Sequence, residues 1–234
     1  MISPFGAWCN GLAMCGRLVQ THSREELARL FGLEAAGAEV PVRYNLAPGQ
    51  EAAAVLEEAG RRVLRRLRWG LARGGINLRG EGLAPRLARG GGLGARPCVV
   101  PAAGFYEWPR GVGGRRLAGV GPWYYCARDG APLALAGLWE PEGEGRGRFA
   151  ILTTRANPLV ARVHPRMPLI LPRRHWDLWL EGEPRETAEL ERILAPYPPE
   201  RMRAWRVSPR CNSVRHDDPD CLRPAPEQPT LFPL

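Results

Sequence analysis

The sequence contains no lysine: all 33 residues of the lysine-plus-arginine class are arginine. Side-chain amine chemistry is thereby excluded, and a Schiff base formed through a primary amine of this polypeptide has to use its N-terminus. Cysteine is present but unpatterned. Cys9, Cys15, Cys98, Cys126, Cys211 and Cys221 form no C-x-x-C pair and keep no regular spacing with histidine, which argues against a zinc ribbon or a disulfide framework and for reduced thiols. Long apolar runs are missing too: none approaches the roughly 18 residues that suggest a membrane span. The opening stretch MISPFGAWCNGLA has no charged side chain and so lacks the basic n-region of a secretory signal. These absences fit a soluble cytoplasmic protein that needs neither metal nor cofactor.

What is present sets the scale. A chain of 234 residues with 44% apolar content supports a core for one domain followed by a tail. The net charge of +9 and pI near 9.9 fit either a polyanionic partner such as nucleic acid or a solvated basic surface, and composition leaves both readings open.

The stretch with distinctive chemistry is Met14-Cys15-Gly16-Arg17. If Met14 is the initiator and is removed, Cys15 carries a free α-amine beside its thiol. Such an aminothiol condenses with aldehydes: the amine forms a Schiff base and the thiolate closes a five-membered thiazolidine. An α-amine has a reference pKa of about 7.7–8.0, so a useful fraction is unprotonated near neutral pH. An internal cysteine lacks that amine, and residues 1–13 are therefore read as an extension outside the fold, a mis-assigned start or a removed segment.

Along the chain, Leu18-Val19 predicts a short strand. Ser23 opens a helix, Glu26 completes a capping box, Leu27, Leu30 and Phe31 form one apolar face, and Gly32 ends it. Tyr44-Asn45-Leu46-Ala47-Pro48-Gly49-Gln50 reads as a turn-forming loop. Runs over 52–56 and 61–69 then form a β-hairpin with one core face and one strongly cationic face. Residues 70–95 read mostly as loop around Asn77-Leu78-Arg79-Gly80-Glu81. In the strand pattern Gly104-Phe105-Tyr106-Glu107-Trp108, Glu107 is either solvent-facing or a proton-transfer group set among aromatics. Runs over 123–127 and 133–139 flank Asp129-Gly130 as a second hairpin, and 149–154 is a further strand. His164-Pro165-Arg166-Met167-Pro168 puts a histidine in a proline-bounded loop, a setting that suits function better than core packing. Helical segments near 174–180 and 184–194 and a strand over 202–207 follow, and proline and charge dominate from Ser208 onward as a tail. Hairpins with few helices predict an α+β domain on antiparallel sheet.

In order, Cys15-Gly16-Arg17, YNLAPGQ, Arg68-Trp69-Gly70-Leu71, NLRGE, GFYEW, HPRMP and the stretch from Val207 to Arg215 resemble the SOS response-associated peptidase (SRAP) family. Each motif alone is weak, but the ordered set is specific. The resemblance implies a single domain over 14–223, built on antiparallel, partly barrel-like sheet with a few peripheral helices, and a Pro-rich tail over 224–234. It implies a monomeric DNA-repair protein, cytoplasmic and nucleoid-associated, that captures abasic sites in single-stranded DNA as a thiazolidine crosslink to Cys15. Self-processing peptidase activity exposing that cysteine is implied as well, while a strand-cleaving lyase step stays open. Carried over residue by residue, Cys15 is the nucleophile, Glu107 shuttles protons, His164 holds or protonates the ring-opened sugar hydroxyl, and Asn77 hydrogen-bonds the sugar or the cysteine terminus. Arg17, Arg79 and Arg166 fall at phosphate-contacting positions. Trp69 and Trp108 are either base-stacking residues or core. This chain departs from the family in a shortened loop over 71–77, in Leu78 and Gly80, and in Pro165 where aspartate is frequent.

Two rival readings remain: a thiol peptidase acting on other proteins through Cys15 and His164, and a non-covalent single-stranded DNA binder. Separately, Gln228, Leu231 and Phe232 in QPTLF resemble the peptide that bacterial proteins insert into the sliding clamp, with two apolar anchors on a Pro-rich tail. A clamp pull-down is expected to lose this protein on Leu231→Ala plus Phe232→Ala substitution; undiminished capture would remove the motif from consideration.

Overall fold

The computed structural model describes residues 16–33, 39–72, 75–83, 95–111, 117, 119–143, 146–181 and 192–226. Cys15, the clamp-like residues Gln228, Leu231 and Phe232, and most of the helix expected over 184–194 lie outside that set. Mostly antiparallel strands and a few short helices make an α+β fold with two sheets. Among the described residues no helix is long and apolar enough to cross a membrane.

The larger, seven-stranded sheet contains β3 (Glu51–Glu58), β4 (Arg61–Trp69), β5 (Asn77–Arg79), β6 (Arg96–Ala102), β9 (Leu133–Pro141), β10 (Gly147–Arg155) and β11 (Arg166–Pro168). Strand β10 pairs antiparallel with β9 and also meets β4 in parallel at Arg148–Arg68 and Phe149–Trp69, which curls the sheet into a partly barrel-like form. The five-stranded sheet has the order β12 (Met202–Arg206), β8 (Trp123–Ala127), β7 (Gly104–Glu107), β1 (Leu18–Gln20), β2 (Arg43–Leu46).

Strand β3 explains the layering. All of Ala52, Ala53, Ala54, Val55 and Leu56 are buried, and strand alternation divides them between two cores. Ala53 and Val55 meet the helices, α1 (Arg24–Phe31) and α3 (Trp176–Leu180), where Phe31 stacks on Trp176 at 4.3 Å. Ala52, Ala54 and Leu56 meet the small sheet. A third cluster, with Tyr106, Trp108, Tyr124, Val207, Cys211 and Cys221, covers the outer face of the small sheet.

The hairpin of β3 and β4 forms, and carboxylates offset part of its expected cationic face. Register sets Glu51 opposite Arg68, Glu57 opposite Arg62 and Glu58 opposite Arg61, while Arg65 pairs with Glu58 and Arg66 with Glu51. Arg65 and Arg66 are thus answered by carboxylates on the neighbouring strand, and Arg62 by Asp177 of α3.

Four other expectations change. Residues 43–46 form β2 beside β1 rather than loop. Asn77–Arg79 is a strand parallel to β10. The runs around Asp129-Gly130 are not a hairpin, because β8 pairs with β7 and β12 whereas β9 pairs with β6 and β10. The chain crosses between sheets there. Finally, residues 208–222 are not tail: they pack on the small sheet, with Cys211 and Cys221 buried.

The expected helix over 24–31 has its full capping box and a left-handed Gly32 at its end. Gln20 ties the sheets together. Its Nε2 donates to Ala53 O at 3.0 Å and Pro101 O at 2.7 Å, and its Oε1 accepts the Ala53 N–H at 2.9 Å.

Gly104, at the start of β7, lies so close to its neighbours that a β-carbon would overlap the Tyr125 carbonyl and the Tyr124 ring. Gly104→Ala is expected to destabilise the protein by about 1–3 kcal/mol, the usual scale of overpacking, read as a lowered thermal midpoint; an unchanged midpoint would show that β7 and β8 can part locally.

Candidate active site between the sheets

Alternation along β7 turns Phe105 and Glu107 toward the core shared by the two sheets, and Tyr106 and Trp108 toward the outer cluster. Glu107 is buried rather than solvent-facing, and lies in one cross-strand row with Trp123 of β8 and Arg206 of β12. From the other sheet, Asn77 pairs with Ile151 and Arg79 with Thr153, so both sit on the face of β5 that carries the Ile151 side of β10 toward the same shared core.

His164 follows the short helix α2 (Pro158–Ala161), whose start is capped by Asn157 accepting from Val160 N–H at 3.0 Å. The histidine is buried, and its Nδ1 lies 3.2 Å from the Arg166 N and 3.3 Å from the Arg166 O, so it accepts from the one or donates to the other according to the tautomer. Burial lowers its pKa below the ordinary 6.5, reinforced by the Arg110 and Arg166 charges and opposed by the backbone hydrogen bond. Near neutral pH the ring is a neutral imidazole. Tyr125 connects this region to Glu107: burial raises its pKa, Glu107 adds to that, and Arg162, two residues before His164, opposes it.

The N-terminal chain enters beside Glu107. Leu18 pairs with Phe105, Val19 with Gly104, and Tyr106 N–H donates to Arg17 O at 3.1 Å. Continued outward, that antiparallel register sets Gly16 across from Glu107. In the sequence, Cys15 directly precedes Gly16.

The structure reassigns several residues expected to touch DNA. Trp69 is 1% exposed, stacks toward Phe149 and donates from Nε1 to Ile76 O at 2.9 Å, so no base can lie on it. Trp108 is buried and donates from Nε1 to Asn212 Oδ1 at 2.6 Å. Arg17 is 8% exposed, with Nη1 donating to Asn45 Oδ1 and Cys211 O, both at 2.7 Å. Each braces the site from behind. Arg166 forms a bidentate pair with Glu81 at 2.6 and 2.7 Å and also donates to Thr153 O at 2.7 Å. Burial would raise the Glu81 carboxyl, but the Arg166 hydrogen bonds lower it on balance. Arg79 is exposed at the strand end.

Asn45, Asp217, Asn212 and Tyr125 went unread in the sequence. Asn45 stood inside a motif legible only as a turn, and the others gain meaning from contacts between residues far apart in the chain. Among the described residues no group of three or more His, Cys, Asp or Glu is placed to hold a metal ion. An open cleft of about 530 Å³, lined by His22, Glu26, Arg29, Asp129 and Arg173 among others, lies by the opposite end of β1 and shares no residue with this site.

Residues 14–214 match the family model "SOS response associated peptidase (SRAP)". The chain belongs to the SRAP family. The abasic site processing protein YoqW of Bacillus subtilis is 28% identical over 225 residues, covering 89% of this chain and 99% of its own. The chicken abasic site processing protein HMCES is 29% identical over 203 residues, 71% of this SRAP chain but 59% of its own length. A protein of Bacteroides thetaiotaomicron shares the fold at a TM-score of 0.72 and 20% identity, covering 90% of this chain and all of that one.

The lowered His164 pKa ties stability to pH. A neutral buried imidazole supports the fold above its unfolded pKa of about 6.5, and that support is lost as pH falls through the lower folded value. His164→Gln is expected to lose less thermal stability than the parent between about pH 7 and 5, with His22 and His175, also lowered by burial, keeping part of the loss. Equal losses in both proteins would contradict a depressed His164.

Proposed function

We propose that this protein processes abasic sites in single-stranded DNA by forming a thiazolidine crosslink through Cys15. The observation that carries the reading is the β1–β7 register, which leads the chain from Arg17 outward along Glu107. The family match beginning at residue 14 and relatives described as abasic site processing proteins support it.

In this reading the open-chain abasic sugar presents an aldehyde. Glu107 accepts a proton from the Cys15 ammonium, and the freed amine adds to the carbonyl carbon to give a carbinolamine. The carbinolamine hydroxyl leaves as water after protonation, for which Glu107 returns the proton, and a C=N bond remains. The Cys15 thiolate then adds to the imine carbon and the nitrogen takes up a proton, closing the five-membered ring with net loss of one water. His164 holds or protonates the sugar hydroxyl released by ring opening. Asn77 orients the sugar, while Arg79 offers a phosphate contact at the exposed rim; Arg166, held by Glu81, has to exchange that partner or act alongside it. While residues 1–13 are attached, Cys15 has an amide nitrogen and this route is closed, so initiation at Met14 or self-processing is part of the proposal.

Protein begun at Met14 and mixed with abasic single-stranded DNA is expected to give a heat-stable crosslinked band that Cys15→Ala abolishes and Glu107→Gln slows by about 10²–10⁴-fold, the usual worth of a positioned general acid–base group. Borohydride should trap the imine at the N-terminus. Reversible, salt-sensitive binding without any band would favour a non-covalent binder, and cleavage of other proteins by an internal Cys15 would favour a thiol peptidase.

A further inference from the structure

Asn45 is a fully buried amide at the centre of a polar joint. Its Nδ2 donates to His216 O at 2.7 Å and Ser213 O at 3.0 Å, with Cys211 O at 3.3 Å, and its Oδ1 accepts Arg17 Nη1 at 2.7 Å. Arg17 also donates to Cys211 O at 2.7 Å and from Nη2 to Asn212 O at 3.3 Å, and its guanidinium lies 5.7 Å from the Trp108 ring centroid. Asp217 secures the strand beneath: Oδ1 accepts the N–H groups of Tyr44 at 2.6 Å and Asn45 at 2.8 Å, and Oδ2 accepts Arg43 Nε. Asn212 Oδ1 takes the Trp108 indole N–H at 2.6 Å.

Besides its bonds to β2, the segment reaches two places. Arg17 stands two residues after Cys15, and Trp108 stands directly after Glu107. Segment 211–217 therefore grips the strand that delivers the nucleophile and the strand that delivers the carboxylate, and does so with directional hydrogen bonds. Apolar packing alone would hold the segment on the sheet but would not fix its register. A satisfied buried polar network does fix it, because each donor left unpaired by a slip carries a desolvation penalty.

We infer that segment 211–217 is a positioning clasp, in which Asn45, Asp217 and Asn212 act through Arg17 and Trp108 to hold the start of β1 in register with Glu107. Asn45 is thus a positioning residue. The inference rests on the crosslinking reading for its consequence in chemistry, though not for its consequence in structure.

The test uses the full protein begun at Met14, as parent, Asn45→Ala and Asn212→Ala, with two separate readouts. Amide hydrogen exchange follows the peptides spanning 16–20 and 104–108, with α3 as control. Single-turnover crosslinking to abasic single-stranded DNA gives the rate at saturation, and affinity is measured on DNA carrying tetrahydrofuran, which cannot open to an aldehyde. The expected result is faster exchange confined to the two strands, a saturating rate reduced about ten- to hundred-fold by misplacement, and unchanged tetrahydrofuran-DNA affinity. Asn212→Ala, altered at an exposed side chain, decides the matter if Asn45→Ala shows no cooperative melting. Unaltered exchange in the folded variants would overturn the clasp. Faster exchange with a parental crosslinking rate would overturn its positioning role. A parent that forms no crosslink would overturn the crosslinking reading and with it the chemical role, while the exchange data still judge the clasp.

Discussion

An N-terminal nucleophile has no chain before it, so everything that fixes its position must come from the residues after it and from lateral partners. In the proposed reaction, strand β1 answers that constraint. It has only three residues, yet it is interior to its sheet, with β2 on one side and β7 on the other. Its central and terminal side chains are buried on both faces, and Gln20 bonds across to the backbone of β3 and β6. A short edge strand would fray at its first residue. Here the first described residues are hydrogen-bonded into a sheet whose outer face is itself covered by 207–222, so rigidity reaches the point where the chain emerges beside Glu107.

Charge is distributed by the same logic. A net charge of +9 invites the picture of a basic DNA-binding face, but much of the arginine is already committed. Arg65 and Arg66 answer glutamates on β3, Arg148 answers Glu142, and Arg166 answers Glu81. Pairs as exposed as Arg65–Glu58 and Arg66–Glu51 contribute little to stability, of order 0–1 kcal/mol. Their effect is on the field: the carboxylates beside Arg65 and Arg66 offset part of the positive charge of β4. Arg17 is a different case. Burial lowers its pKa, the nearby Cys211, Tyr106 and Cys221 oppose that, and carbonyl oxygens rather than a carboxylate receive its protons. It serves as a multi-point hydrogen-bond donor more than as a charge.

The features legible in the sequence are those written in local chemistry. The capping box at Ser23 and Glu26 and Gly32 as the stop of its helix need only neighbouring residues to take effect. Glu107, Asn77 and His164 stand out in the sequence because their motifs are specific, and in the structure Glu107 and His164 are buried polar groups. Trp69 and Trp108 could not be decided from composition, since an aromatic beside arginine looks the same whether it faces DNA or the core; the partners Ile76 and Asn212 decide it. The turn at Asp129-Gly130 gave a correct local signal and a wrong topology, because a tight turn bends the chain without saying which strands will pair. Residues 208–222 misled for the opposite reason. Proline and charge read as disorder there, whereas the 3-10 turns, the buried cysteines and the carbonyls accepting from Arg17 and Asn45 make them part of the fold.

In the proposed reaction, selectivity for a single nucleophile follows from two depletions of different origin. The absence of lysine removes every side-chain amine that could compete for an aldehyde. Burial then quiets the other described thiols. Cys98 is wholly enclosed and its pKa is raised strongly, Cys211 is pushed up to about 12 by burial and then by Cys221, and Cys126 and Cys221 are raised chiefly by burial as well. Thiols held that far toward the protonated form, with Sγ atoms turned to backbone carbonyls as in Cys211 and Cys221, are poor nucleophiles at neutral pH. The four described cysteines are thus withdrawn from reaction with an aldehyde, and in the proposed reaction amine and thiol both belong to Cys15. Chemoselectivity thus needs no recognition of the cysteine as such: it is left over when composition and packing have removed the alternatives.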